Sequence, residues 1–214
     1  MKLSNSIYLN LHGSSIRALP NSIGELERLM HLDLSNCHRI HEWPVSFRNL
    51  EKLVHLNFSG CRGISGVSES LQSLSRLEHL NLSSCRKIGD VTRVMIGLTE
   101  LQYLNLSEVP CVGLQQVLVN LTKLRYLNLE ASLGHRSVEA DIGSLLECVG
   151  SLSNLEYLNL GRNDDLRTIP ESIGNLRKLN TLDLSYCKKL QMLPASVSAI
   201  NTLKFLHVMV AEVR

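Results

Sequence analysis

The chain has 214 residues, of which 44% are hydrophobic, and a formal net charge of +2 from 22 basic and 20 acidic side chains. This length and composition suffice for one folded unit, and the balanced charge does not favour nucleic acid or an anionic membrane as the main partner. No stretch approaches the roughly 18 apolar residues of a membrane helix, so we expect no membrane insertion.

One pattern, LxxLxLSxCxxI, recurs along the chain and organises it. It reads LMHLDLSNCHRI from Leu29, LVHLNFSGCRGI from Leu53 and LEHLNLSSCRKI from Leu77. The first leucines of successive copies are Leu29, Leu53, Leu77, Leu101, Leu124, Leu155, Leu179 and Leu203, and IYLNL near the N-terminus adds an earlier copy. All steps are 23 or 24 residues except one of 31, a period in the leucine-rich repeat range.

Each unit predicts one short strand and one return segment. The alternating LxL segment indicates a strand with its leucines turned inward. In LPNSIGEL, IPESIGNL and LPASVSAI, proline is suited to start a helical turn. Because no unit can bury its leucines alone, stacked units must share a core. We therefore predict an α/β fold in which residues 1–214 form a single right-handed leucine-rich-repeat solenoid. It has about nine strand segments, a concave parallel sheet, and short helices or turns on the convex side.

Residues 130–150 interrupt the regular period. Apolar residues spaced along Ser137–Val149 predict a longer amphipathic helix. This irregular insertion is either a convex bulge, since added loop length costs little, or a recognition feature or a junction between two sub-arrays.

The six cysteines indicate buried, reduced thiols. Four of them occupy one repeat position, at Cys37, Cys61, Cys85 and Cys187. That use fits a small buried hydrophobe better than a disulfide framework. Asn163 is the exception at this position, where an amide would bond to buried backbone. The N-terminus also lacks the apolar core of a signal peptide, so we expect a cytoplasmic location.

Exposed strand positions form three columns on the predicted concave face. The residue before each middle leucine is mostly Tyr or His, and the residue after it is mostly Asn or Asp. Large rigid side chains with polar tips suit protein interfaces. The alternative is that these columns only stack between strands, which the uniform Asn/Asp column favours. The predicted protein-binding residues are Tyr8, His31, His55, His79, Tyr103, Arg125, Tyr126, Glu156, Tyr157 and Phe205.

Catalytic, metal and cofactor sites are not indicated. His31, His55 and His79 would lie about 4.8 Å apart along the sheet, but collinear side chains do not converge as a zinc site requires. Their crowding instead predicts that they resist protonation together. Neither GxSxG nor GxxxxGK[ST] occurs. We expect a non-enzymatic chain without a cofactor.

The turns LSNC, FSGC, LSSC and LSYC, with LPNSIG and IPESIG, resemble the repeats of plant intracellular nucleotide-binding leucine-rich-repeat immune receptors. They are also similar to plant Ras-group leucine-rich-repeat proteins. The first resemblance implies a protein-recognition module in plant innate immunity that senses a pathogen effector or restrains a receptor domain or signalling factor. The alternative is an intracellular signalling scaffold of Ras-group type. Without GxxxxGK[ST], a nucleotide switch is not carried over.

Overall fold

The computed structural model describes residues 5–65, 68–134 and 139–209. Within these ranges, nine three-residue strands form one parallel sheet whose order follows the sequence. They are β1 Tyr8–Asn10, β2 His31–Asp33, β3 His55–Asn57, β4 His79–Asn81, β5 Tyr103–Asn105, β6 Tyr126–Asn128, β7 Tyr157–Asn159, β8 Thr181–Asp183 and β9 Phe205–His207. This architecture confirms the predicted α/β solenoid.

The return segments form the second layer. They are the α-helices α1 Ser68–Leu71, α2 Val91–Met95, α3 Gln115–Leu118 and α4 Glu139–Gly150, and the 3-10 turns Asn21–Glu25, Val45–Asn49, Glu171–Asn175 and Ala195–Ala199. A proline in extended conformation precedes each 3-10 turn, and its carbonyl accepts the first hydrogen bond of that turn. Proline therefore stands just before the turn and leaves the turn's own amides free to bond.

The helix predicted across 137–149 is present as α4, although 137–138 lie outside the described residues. Ile142, Leu145, Leu146 and Val149 on this helix are buried. The helix contacts α3 and the turn Glu171–Asn175. Its described part therefore continues the core on the side away from the sheet. No helix in the described ranges has the length and apolar character of a membrane span.

Strand register turns each repeat position into a column. Leu32 pairs with Leu56 and Leu80 pairs with Leu104, so equivalent residues lie side by side. The central leucines of β2 to β8 are buried. Residues on either side of them face away from the core. We call this surface, predicted to be concave, the open sheet face.

A second column runs through the turns that follow the strands. The Cys61 thiol donates to the Leu34 carbonyl, and the Cys85 thiol to the Phe58 carbonyl, both at 3.0 Å. All six cysteines are free thiols. We call this column the turn ladder; its members are Ser14, Cys37, Cys61, Cys85, Val109, Ser132, Asn163 and Cys187.

Asn163 makes the most hydrogen bonds in the turn ladder, as the sequence predicted for an amide at this position. Its Oδ1 accepts from the amides of Ser132 at 2.9 Å and Leu133 at 2.8 Å. Its Nδ2 donates to the carbonyls of Leu129 at 2.9 Å and Leu160 at 2.8 Å. One buried side chain thus satisfies four backbone groups at the elongated repeat.

Glycine in the SIG segments allows neighbouring return turns to approach closely. A Cβ added at Gly174 would lie 2.5 Å from the Cβ of Ser196 and 3.0 Å from its carbonyl oxygen. The same conflict would arise between Gly24 and Ser46. Glycine is therefore a packing requirement of this layer.

We expect Gly174→Ala to lower the free energy of unfolding by about 1–3 kcal/mol, since the added methyl overpacks a tight contact. Denaturant unfolding measures the change. Gly143→Ala in α4 is the matched control, because its Cβ would meet no atom within 4 Å, and alanine is favoured over glycine in a helix by up to about 1 kcal/mol. Equal losses in both variants would contradict the packing argument.

We expect Asn163→Ala to lower the free energy of unfolding by about 2–4 kcal/mol, because the Leu133 amide loses its buried partner and three further backbone groups each lose one of two hydrogen bonds. Cys61→Ala should cost about 1–2 kcal/mol, since it removes one weak thiol bond and a small volume. Both values come from denaturant unfolding monitored by circular dichroism. A cost for Asn163→Ala no larger than that for Cys61→Ala would show that the four hydrogen bonds contribute little.

Candidate functional site

All ten predicted binding residues lie on or directly beside the open sheet face. Eight of them share the column before the central leucines, as the strand register shows. Arg125 and Glu156 occupy the adjacent column, immediately before β6 and β7. We call the aromatic and histidine column from β1 to β7 the ring ladder; it contains Tyr8, His31, His55, His79, Tyr103, Tyr126 and Tyr157.

The ring ladder is most tightly stacked over its last four rings, from β4 to β7. The ring centroids of Tyr103 and Tyr126 are 4.2 Å apart at 11°, and those of Tyr126 and Tyr157 are 4.3 Å apart at 4°. His79 stacks on Tyr103 at 3.8 Å. The first three steps are less regular: His31 and His55 stack at 4.4 Å, whereas the steps on either side of them are longer and tilted.

The rings from His31 to Tyr157 are half-buried, because each covers part of its neighbour. The alternative interpretation, that these residues only stack between strands, therefore holds for the ring faces, whereas the ring edges remain on the surface. Replacing Tyr126 with alanine would break two stacks as well as remove contact area. Alanine substitutions in the ring ladder would change both the stability of the fold and the affinity for a partner, so the flanking polar residues are better probes of binding.

The Asn/Asp column has an internal role. In each of the strands β1 to β8, its side-chain oxygen accepts the backbone amide two residues later, for example Asp33 from Ser35 at 2.8 Å and Asn81 from Ser83 at 3.0 Å. Such local bonds are typical of Asn and Asp at turns. These hydrogen bonds form where each strand ends, and this shared role explains why Asn or Asp recurs so uniformly in the column.

The column before the ring ladder carries ordered charge. Arg125 donates from Nε and Nη2 to Glu156 Oε1 at 2.9 and 2.7 Å. Gln102 donates to Glu78 at 3.0 Å. The Arg125 and Glu156 side chains are 57% and 43% exposed, so water screens the pair and its stabilisation is at most about 1 kcal/mol. Its main effect is to orient two opposite charges beside the rings.

A second row of residues, in the turns that follow the strands, is not among the ten predicted binding residues. The third residue of each LSxC-type turn has a positive φ, and the row comprises Gly13, Asn36, Gly60, Ser84, Glu108, Ala131, Arg162 and Tyr186. Glycine and asparagine are the residues that adopt this conformation most readily. They occur only in the first three turns, so residue type alone does not reveal the rest. The fixed spacing to the turn ladder is the signal that identifies them.

Charges in this turn row are largely paired. Arg86 lies 2.8 Å from Glu108 and lowers the pKa of that carboxyl group. Arg162 lies 3.2 Å from Glu130, and its guanidinium carbon is 5.6 Å from the centre of the Tyr186 ring. The two arginines and two glutamates border a surface cavity of about 490 Å³. Two aspartates also border it, and each is paired with a lysine. Because every carboxylate there has a basic partner, the row favours no particular ligand charge.

Burial in the ring ladder suppresses ionisation. It lowers the pKa of His79 to about 4, and repulsion from His55 adds to the effect. Burial and then His31 also lower the pKa of His55, while Glu78 opposes the shift. Burial raises the pKa of Tyr103 to about 12. In the part of the chain that the structure describes, no three His, Cys, Asp or Glu side chains are grouped to hold a metal ion.

We expect acid to weaken the fold through His79. An unfolded histidine protonates near pH 6.5, at about its ordinary pKa, whereas His79 in the folded chain protonates near pH 4. The stabilisation that neutral His79 gives the folded state is therefore complete above pH 6.5 and is lost as the pH falls towards 4. His79→Tyr extends the tyrosine stack and removes this titration, so the wild-type Tm should fall more steeply across that window. NMR midpoints near 6.5 for both His55 and His79 would contradict the coupling.

The sequence matches a family model described as a leucine-rich repeat region over residues 2–137 and 124–213. A comparison with proteins of curated function gives no match. Among solved structures, the leucine-rich repeat domain of the type III effector XopL superposes with a TM-score of 0.72 at 20% identity, covering 94% of this chain and 76% of that one. Internalin C2 from Listeria monocytogenes gives 0.69 at 22% identity, with 94% and 80% covered.

The ectodomain of the plant membrane receptor kinase GASSHO1/SCHENGEN3 from Arabidopsis thaliana, solved in complex with CASPARIAN STRIP INTEGRITY FACTOR 2, gives a TM-score of 0.65 at 23% identity. This chain is covered to 96% and spans 27% of that ectodomain. It spans 55% of a leucine-rich repeat protein from Leptospira interrogans, at a TM-score of 0.67 and 22% identity. These identities show a shared fold alone. The family match, in contrast, spans nearly the whole sequence, and the chain therefore belongs to the leucine-rich repeat family.

Proposed function

We propose that the chain is a non-enzymatic recognition module that binds another polypeptide through the open sheet face. The observation that carries this proposal is the ring ladder beside the ordered Arg125–Glu156 pair. Stacked rings have little side-chain freedom to lose on binding, and their edges offer apolar area with polar tips. Leucine-rich repeats are protein-interaction modules, and solenoids display extended binding surfaces. The plant receptor ectodomain solved with a bound factor supports the same use of the fold.

The biological setting that we propose is plant innate immunity, in which the chain senses a pathogen effector or restrains a receptor domain or signalling factor. The LSxC turns followed by LPxSIG segments support it, through their resemblance to plant intracellular immune receptors. Six unpaired cysteines are typical of a reducing compartment, which supports a cytoplasmic location.

The second candidate is an intracellular scaffold of Ras-group type. The same LPxSIG segments favour it, and a rigid solenoid could bridge endogenous signalling proteins without sensing a foreign one. The two candidates differ in what the open sheet face captures from infected plant tissue. An effector or receptor domain supports the first, and endogenous signalling factors recovered equally from healthy tissue support the second.

We expect a reversed ion pair, Arg125→Glu with Glu156→Arg, to weaken binding of a captured partner by about tenfold or more, because charge complementarity is inverted. The reversed pair can still form, so the free energy of unfolding should change by no more than about 1 kcal/mol. Calorimetric titration of the captured protein measures the first effect, and denaturant unfolding the second.

The matched control reverses Lys123 and Glu100, which lie 2.6 Å apart between neighbouring repeats with similar exposure. These residues precede the strands and lie outside the binding columns. This double substitution should leave the affinity for the partner unchanged. Equal affinity in both double variants would place recognition away from the open sheet face.

A further inference from the structure

The ring ladder ends at Tyr157 on β7. In the same column Thr181 lies on β8 and Phe205 on β9, so one position without a ring separates two rings. Tyr157 stacks on Tyr126 through one face, and among the described residues no ring stacks on its other face. Phe205 is 54% exposed. We call the space over Thr181 the open rung.

The open rung has the dimensions of one planar side chain. Two strand spacings separate Tyr157 from Phe205, or about 9–10 Å. The ladder's own tyrosine steps are 4.2 and 4.3 Å, so one ring fits between the two positions and two rings do not. A wider cavity of about 750 Å³ borders Tyr157 and Thr181 and extends from them towards the side where the strands begin; Phe205 lies beside it and not in its lining.

Charge around the open rung is uneven. Lys178 and Lys204 border the cavity on the side where the strands begin. Lys178 contacts the neutral amide of Asn154 at 2.8 Å, and no described carboxylate forms an ion pair with Lys204. Glu156 also borders the cavity, but its charge is paired with Arg125.

The opposite side of the open rung is acidic. Asp183 follows Thr181 on β8, and its Oδ1 accepts the Ser185 amide at 2.8 Å. A bound group therefore meets two lysines where the strands begin and a carboxylate where they end. This polarity favours one orientation of a charged ligand.

We propose that the open rung binds an aromatic side chain of a partner polypeptide that carries a carboxylate next to it. The partner's ring stacks between Tyr157 and Phe205, and its carboxylate points towards Lys178 and Lys204. An aliphatic side chain would leave the ring faces poorly matched. This inference rests on the proposed function and names the chemistry that the same face recognises.

Three small probes test the chemistry: N-acetyl-aspartyl-phenylalanine amide, N-acetyl-aspartyl-leucine amide and N-acetyl-lysyl-phenylalanine amide. Each is titrated at millimolar concentration into the isotopically labelled chain and followed by NMR. The first should shift the amide signals of Tyr157 and Thr181. The other two should bind about three- to tenfold more weakly, as loss of an aromatic contact or reversal of charge predicts. Equal binding by all three, or none by the first, overturns the proposal.

Thr181→Tyr should complete the ladder with the chain's own ring. We expect a higher Tm and loss of probe binding. Thr168→Tyr, at an exposed position outside the ladder, is the matched control and should leave both unchanged. Lys204→Glu should weaken binding of the aspartyl probe and strengthen that of the lysyl probe. A lower Tm for Thr181→Tyr, or probe binding that survives it, would show that the gap does not hold a ring.

The same variants separate this inference from the proposed function. If the reversed Arg125–Glu156 pair abolishes capture of a partner while Thr181→Tyr does not, the open sheet face binds protein without using the open rung. If neither change affects capture, the proposed function fails as well.

Discussion

In-register parallel pairing between three-residue strands is the constraint on which the whole structure depends. A strand this short is not stable alone, and each repeat is held by its neighbours. Because Leu32 lies beside Leu56 and His55 beside His79, every residue type repeated in the sequence becomes a column in space. A slip of one residue would turn buried leucines to solvent and the ring ladder into the core. The buried leucines and the surface columns therefore depend on the same register.

The elongated repeat shows how strongly this register is kept. The step from Leu124 to Leu155 adds seven residues to the usual 24, yet Tyr126 still pairs with Tyr157 and their rings are the most nearly parallel in the ladder, at 4°. The described part of the extra length forms α4, on the side of the core away from the sheet. Asn163 ties the longer turn to its neighbour through four hydrogen bonds. Extra length in the return layer thus leaves the open sheet face unchanged.

The fold was predictable from sequence because burial of evenly spaced leucines leaves one solution. The columns of the open sheet face were predictable for the same reason. Their internal contacts were not. Asn81 was expected to stack along the sheet, but its oxygen binds the amide of its own turn. Glu108 and Tyr186 have a positive φ that their residue types disfavour, and contacts with the flanking repeats hold them in it. The close stacking of the Tyr126 ring on its neighbours depends on the tilt of the rings. Spacing alone reveals neither effect.

The turn ladder also gives the chain a set of chemical reporters. Burial raises the pKa of Cys61 to about 11 and that of Cys85 to about 12, and both side chains are fully buried. At pH 7 a thiol with a pKa of 11 is ionised in only about one molecule in ten thousand, and only the thiolate reacts with alkylating reagents. These cysteines can therefore be labelled only when their own repeats separate. The labelling rate of each cysteine thus reports how often its own unit of the solenoid unfolds locally.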